Sequence, residues 1–382
     1  MKNLFFTLLA FILMTSGAIA QYDVGSSSKT FRDSDRRNRR VNARIYYPTV
    51  NFGNQSEIAE GQFPVIILGH GFIMGSDAYQ NFYDTLVPRG YIVVFVNTEG
   101  SFFANHRAFS EDLAFMVGAI QAENDNSNSV LYQSVADKSA LIGHSMGGGA
   151  ATVAASLTDV ETLVTFAPAK LRFNTLTPAS QVTEDAIVFS GSGDAVTPAD
   201  ENHIPIYNSL GSSCKYFINI LGGAHCYYAN SNFACDFGEN TSSGDIQITR
   251  DEQQEIVFNF LNSWFDYKLK DDLAAKQKFA NDLQSSDDVA HENDCAEGVN
   301  TISSIENEPS ILITPNPASR KITIGVENKK SFQKVEFYNQ QGVKVFTSFN
   351  NEANVSNLKS GGYIVRIYTN NAVTTKQIII QK

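Results

Sequence analysis

At 382 residues the chain exceeds one comfortable hydrophobic core, so two domains are expected. It carries 29 Lys and Arg against 40 Asp and Glu, a net charge of −11, and the balance is uneven: from Glu308 onward there are ten basic and four acidic residues, leaving 19 against 36 in the rest. So acidic a body disfavours nucleic acid and anionic membranes as partners.

In chain order, Lys2 precedes an apolar run from Leu4 to Met14, and small residues end in Ala18-Ile19-Ala20. This reads as a secretory signal over residues 1–20 with an A-x-A cleavage site, too short to span a bilayer, and the mature chain is expected to begin at Gln21. Export gives the cysteines a meaning. Cys214, Cys226, Cys235 and Cys295 are even in number and would meet an oxidising compartment, so disulfides are expected. Three pairings are open; the short separation favours Cys226 with Cys235, leaving Cys214 with Cys295. No C-x-x-C or His-x-His spacing points to a metal site.

The cluster Arg36, Arg37, Arg39, Arg40 is interleaved with Asp33 and Asp35 and runs into a strand over 41–47, so it reads as a solvated edge rather than a polyanion site. Continuous apolar runs at 63–68 and 91–96 suit strands covered on both faces. Helices are expected over 77–86 and 106–122, the second with Leu113, Met116, Val117 and Ile120 on one stripe. Later strands fall at 163–166, 186–189 and 216–221, and a helix over 251–269 carries the single tryptophan, Trp264, as a core residue. Strands alternating with helices imply an α/β fold, a mostly parallel sheet with helices on both faces, over residues 21–270. Residues 271–309 turn polar and acidic and read as a linker or loose tail. Beyond them, five short alternating strands at 321–326, 334–338, 343–347, 363–368 and 373–380, with turns at Gln341-Gly342, Gly361-Gly362 and Asn370-Asn371, suggest a small all-β sandwich over 310–382.

Within the α/β part, Gly143-His144-Ser145-Met146-Gly147 stands between an apolar strand and an Ala-rich helix. That context reads as a nucleophile elbow, a sharp turn that exposes one serine hydroxyl above the sheet beside the N–H groups of the next helix. A serine hydroxyl needs an imidazole to take its proton and a carboxylate to orient that imidazole. Of the downstream histidines, His203 lies in a polar helical stretch and His291 in the acidic tail, whereas His225 follows a strand on Gly222-Gly223-Ala224. His225 is therefore the expected base. Asp194, after the strand at 186–189, is the expected acid, with Asp200 as the alternative. The oxyanion donors are assigned to the backbone N–H groups of Met146 and of Phe72, in Gly69-His70-Gly71-Phe72.

With these residues in place, 31–269 resembles the bacterial cutinase and polyester hydrolase family of the α/β-hydrolases. The likeness rests on Phe31-Arg32-Asp33 leading to Ile45-Tyr46-Tyr47-Pro48, on Ser145-Met146-Gly147-Gly148-Gly149, and on Gly222-Gly223-Ala224-His225. It implies a triad of Ser145, Asp194 and His225, an oxyanion hole from Phe72 and Met146, and a shallow groove lined by Phe72, Ala169 and Val196. It also implies neutral ester or polyester substrates and no cofactor. Family members commonly carry a tryptophan after the Ala-Pro that follows the elbow helix; here Ala167-Pro168 leads into Ala169 and Lys170, leaving Phe72 as one wall of an aromatic clamp. The segment 226–237 also departs from the family's short form.

The tail from Ile311 resembles the C-terminal sorting domain of the type IX secretion system, through Pro315-Asn316-Pro317, Leu358-Lys359-Ser360-Gly361-Gly362-Tyr363 and the basic end near Lys376. This implies the secretion machinery as partner and a secreted or surface-attached product. The expected protein is thus a monomeric secreted serine esterase. A lipase or small-molecule carboxylesterase is the alternative within that chemistry, and a non-catalytic surface binder the alternative outside it.

Overall fold

The computed structural model describes residues 22–50, 53–54, 56–295, 312–325, 332–339, 344–369 and 373–382; the expected signal, residues 296–309 of the expected linker and the turns at Gln341-Gly342 and Asn370-Asn371 lie outside them. The chain divides into two compact units between residues 296 and 297.

The first unit opens with β1 (Asp23–Asp33) and β2 (Arg39–Thr49), paired antiparallel, and β3 (Gly53–Asn54). Strands and helices then alternate: β4 (Phe63–Gly69), α1 (Gln80–Leu86), β5 (Ile92–Val96), α2 (His106–Gln121), β6 (Val135–His144), α3 (Met146–Ala155), β7 (Thr162–Phe166) and α4 (Leu176–Ala179). They continue as β8 (Asp185–Gly191), α5 (His203–Ser209), β9 (Cys214–Ile220), α6 (Phe233–Thr241), α7 (Arg250–Lys270), α8 (Leu273–Ser285) and β10 (Val289–Cys295). The ten strands form one sheet in the order β10-β9-β8-β7-β6-β4-β5-β2-β1-β3, parallel from β9 to β5.

Every residue of β4, β5 and β7 is buried, as continuous apolar runs require when helices cover both faces. One face packs Phe109, Leu113 and Met116 of α2 and the alanines of α3; the other packs Phe82 of α1 and Phe260 and Trp264 of α7. A capping box, Thr249 with Glu252, starts α7, and Lys268 and Lys270 oppose the dipole at its end. Trp264 sits in the core, its Nε1–H donating to Thr162 Oγ1 at 2.9 Å.

Two expectations need correction. Residues 271–295 are no linker: they form α8 and β10, part of the hydrolase sheet. Ala275, Phe279 and Leu283, four apart, give α8 one buried stripe, and the Phe279 ring lies 5.0 Å from Trp264. β10 pairs antiparallel with β9 from Val289 to Cys295. An edge strand needs only main-chain partners on one side, so its polar sequence hides its pairing. Nor is the arginine cluster a wholly solvated edge. Arg39 Nε and Arg36 Nη1 lie 2.6 and 2.8 Å from Oδ1 of buried Asp112, while Arg37 and Arg40 remain exposed.

Among the described residues, the strands of the second unit pair antiparallel, with one isolated parallel bridge between Ala318 and Ile380. One sheet joins β11 (Leu312–Thr314), β12 (Lys321–Gly325) and β15 (Glu352–Asn354); the other joins β14 (Lys344–Ser348), β13 (Phe332–Tyr338), β16 (Gly361–Thr369) and β17 (Val373–Ile380). Ile322 and Ile324 of the first sheet share a core with Val335, Phe337, Val365 and Ile367 of the second. Two of its strands, β11 and β15, are only three residues long and give no sequence signal.

Candidate active site

The active-site loops gather past the carboxyl ends of the parallel strands, where such sheets place their ligands. At the end of β6 the backbone of Ser145 adopts φ 55°, ψ −121°, a conformation that side chains rarely tolerate. The flanking glycines are demanded by contact. A Cβ on Gly143 would stand 2.1 Å from the carbonyl oxygen of Gly147, and one on Gly147 2.1 Å from that of Gly69. Strand, loop and helix can therefore meet only with hydrogen at both positions. The turn is fixed by Ser145 N–H donating to Phe166 O at 2.9 Å, while Ser145 O accepts from Ala169 N–H at 2.9 Å.

His225 Nε2 lies 2.9 Å from Ser145 Oγ, and its Nδ1 2.8 Å from Asp194 Oδ2. Asp194 and His225 are buried. The Asp194 carboxylate is fully engaged: Oδ1 accepts the N–H groups of Val196 and Thr197 at 2.9 and 2.8 Å, and Oδ2 accepts the Thr197 hydroxyl at 3.1 Å. Burial opposes its charge, but attraction to His225 and these hydrogen bonds outweigh burial and hold the carboxyl below the usual carboxylate range. Asp200, the alternative acid, is exposed and precedes α5, and His291 is exposed on β10.

A second imidazole stands behind Asp194. His203 is buried, with Nε2 3.0 Å from Thr197 Oγ1 and 3.6 Å from Asp194 Oδ2, and Nδ1 2.8 Å from Ser190 Oγ. Burial pushes its pKa down to about 4, against the pull of Asp194, so it is neutral at pH 7. The proton positions then follow from the available donors. Thr197 gives its one hydroxyl proton to Asp194, His203 Nε2–H donates to Thr197, and Ser190 donates to His203 Nδ1.

A separate buried chain ties the β4 loop to His225. Gly71 N–H donates to Tyr79 Oη at 2.7 Å, the Tyr79 hydroxyl donates to His144 Nδ1 at 2.9 Å, and His144 Nε2–H donates to the His225 carbonyl at 3.0 Å. Burial pushes the His144 pKa to about 3, which keeps this relay neutral. Phe72 follows directly on the loop, and Met146 opens α3. Among the described residues, neither backbone N–H is taken by a backbone acceptor.

The residue after His225 is anchored from its far side. Cys226 is bridged to Cys235 on α6, its N–H donates to Glu239 Oε2 at 2.6 Å, and its carbonyl accepts from Arg250 at 2.5 Å. Cys214 and Cys295 form the other bridge. Thus the segment that departs from the short family form carries helix α6. Donor atoms of His144, His225 and Cys235 come within 4.8 Å of one another, but the sulfur is bridged and both imidazoles are hydrogen-bonded, so no free ligand set is offered there. Of the expected groove residues, Phe72 is 37 % exposed, Ala169 is half-buried beside Ser145, and Val196 is exposed beside Asp194.

A family model described as PET hydrolase-like matches residues 26–241. The chain belongs to the PET hydrolase-like family. A second model, a secretion system C-terminal sorting domain, matches residues 312–381. No curated protein gives a match to the chain. This PET hydrolase-like protein is therefore a hydrolase of the cutinase type with a type IX sorting domain, which sends it across the outer membrane to be released or held at the surface. Around the candidate site, the sequence reading passed over Thr197 and Tyr79 and weighed His203 only as the base. Thr197, three residues after Asp194, carried a weak turn signal; the other two carried none.

Proposed function

We propose that this secreted hydrolase is a serine esterase cleaving neutral ester bonds of polyesters through an acyl-enzyme on Ser145. The Ser145 hydroxyl attacks the ester carbonyl while His225 Nε2 takes its proton. Asp194 holds the imidazole and stabilises the imidazolium. The N–H groups of Met146 and Phe72 donate to the tetrahedral oxyanion, each donor contributing about 3 kcal/mol at the transition state. His225 returns the proton to the leaving alcohol, and water then repeats the sequence on the acyl-enzyme.

The observation that carries this reading is the continuous contact from Ser145 Oγ to His225 Nε2 at 2.9 Å and from Nδ1 to Asp194 Oδ2 at 2.8 Å. Ser145→Ala is expected to abolish turnover of a short p-nitrophenyl ester and labelling by a fluorophosphonate, with an unchanged thermal melt. Retained turnover would end the assignment. One observation favours a narrower reading, an esterase of small soluble substrates: Ala169 and Lys170 follow Pro168 where an aromatic wall would be expected. Product release from a polyester film separates the two readings.

A further inference from the structure

The loop joining β5 to α2 displays two phenylalanines to solvent, Phe102 at 70 % and Phe103 at 92 % exposure. Leaving such side chains in water forgoes the free energy of their burial, so a held, outward-facing pair calls for an occupant. The loop is built to hold them. Glu99 takes a left-handed φ of 58°, and its carboxylate accepts Asn105 N–H at 2.6 Å and Arg39 Nη2 at 2.8 Å. Arg39 is itself clamped on buried Asp112 at 2.6 Å through both Nε and Nη2. Inside the turn, Ser101 accepts from Phe103 N–H at 3.3 Å and from Ala104 N–H at 3.1 Å, and Asn105 caps α2 through Ala108 N–H. Arg39 of the sequence cluster thus braces an aromatic tip.

The tip is continuous with the proposed site. Phe102 meets Phe72 edge to face with ring centroids 6.0 Å apart, and Phe72 supplies a proposed oxyanion donor. A projecting tip with its outer ring almost wholly bare matches a flat apolar face, not a chain enclosed in a cleft.

We infer that Phe102 and Phe103 form an adsorption foot that seats the enzyme on the surface of a solid polyester, with the ester to be cut brought past Phe72. This rests on the polyester reading above and adds to it the surface that contacts the solid. The test uses the full chain carrying Phe102→Ser and Phe103→Ser. Adsorption is read on a Ser145→Ala background so that the film is not eroded. Depletion onto the film is expected to weaken about ten-fold, and the ratio of film turnover to soluble p-nitrophenyl ester turnover to fall about as much. Unchanged adsorption overturns the inference, as does an equal loss on film and soluble ester. Phe233→Ser, in the exposed stacked pair of Phe233 and Phe237 on α6, is expected to keep the ratio; an equal loss there would show general stickiness rather than a foot. A wild-type dimer that the double substitution converts to monomer would assign the patch to a second copy and also overturn it. If the unsubstituted chain fails on the soluble ester, the serine esterase reading fails instead.

Discussion

Between pH 6.5 and 4 an imidazole in the unfolded chain takes up a proton that His203 in the fold refuses, because burial holds its pKa at about 4. The unfolded state then binds more protons, so stability rises with pH across that window and is lost as pH falls through it, by about 3 kcal/mol in total. His144, held at about 3, acts in the same direction. His203→Gln is expected to flatten the dependence of urea stability on pH between 7 and 4 by about 1.4 kcal/mol per unit. An unchanged slope would mean that His203 is charged in the fold. Asp194 works in a lower window: its depressed folded pKa gives stability present above the unfolded carboxyl value and lost as pH falls below it. Tyr79→Phe breaks the relay from Gly71 to the His225 carbonyl, and kcat on a soluble ester is expected to drop about ten-fold with KM little changed. Ser145, Asp194 and His225 could be proposed from the sequence because each lies on a loop just past the end of a strand of the parallel sheet, where chain order and glycines leave a trace. Thr197, His203 and Tyr79 could not. Their positions are set by packing between elements distant in the chain, and nothing in their local sequence encodes it.

Elements were legible in proportion to how much of their surface is apolar. β4, β5 and the apolar end of β6, residues 140–143, read directly, since burial on both faces leaves no polar position there to confuse the pattern. α8 and β10 hid because one needs only a narrow stripe and the other only an edge. Their contribution is measurable. Phe279→Ala, which removes a ring packed against Trp264, Tyr216 and Phe260, is expected to cost about 3–5 kcal/mol in urea unfolding. A change within about 0.5 kcal/mol would return this segment to the status of a loose tail. The sorting unit gave up its five longer strands to alternation and kept back the two three-residue ones, too short for any period to show.

At the scale of the molecule, secretion and hydrolysis are assigned to separate units, each with its own core. A chain ending at residue 296 is expected to keep soluble-ester turnover within about two-fold while no longer appearing outside the cells that make it, as fractionation and an esterase assay would show. Intracellular retention of the full chain and release of the shortened one would reverse that division. The bridge between Cys214 and Cys295 bears on what survives such a cut. It joins directly facing residues at the last rung of β10 against β9, so the hydrolase is riveted at the very point where its chain runs out toward the tail. Trimming beyond the rivet leaves a blunt, fastened hem, and an enzyme shorn of its export label need not unravel from the cut end.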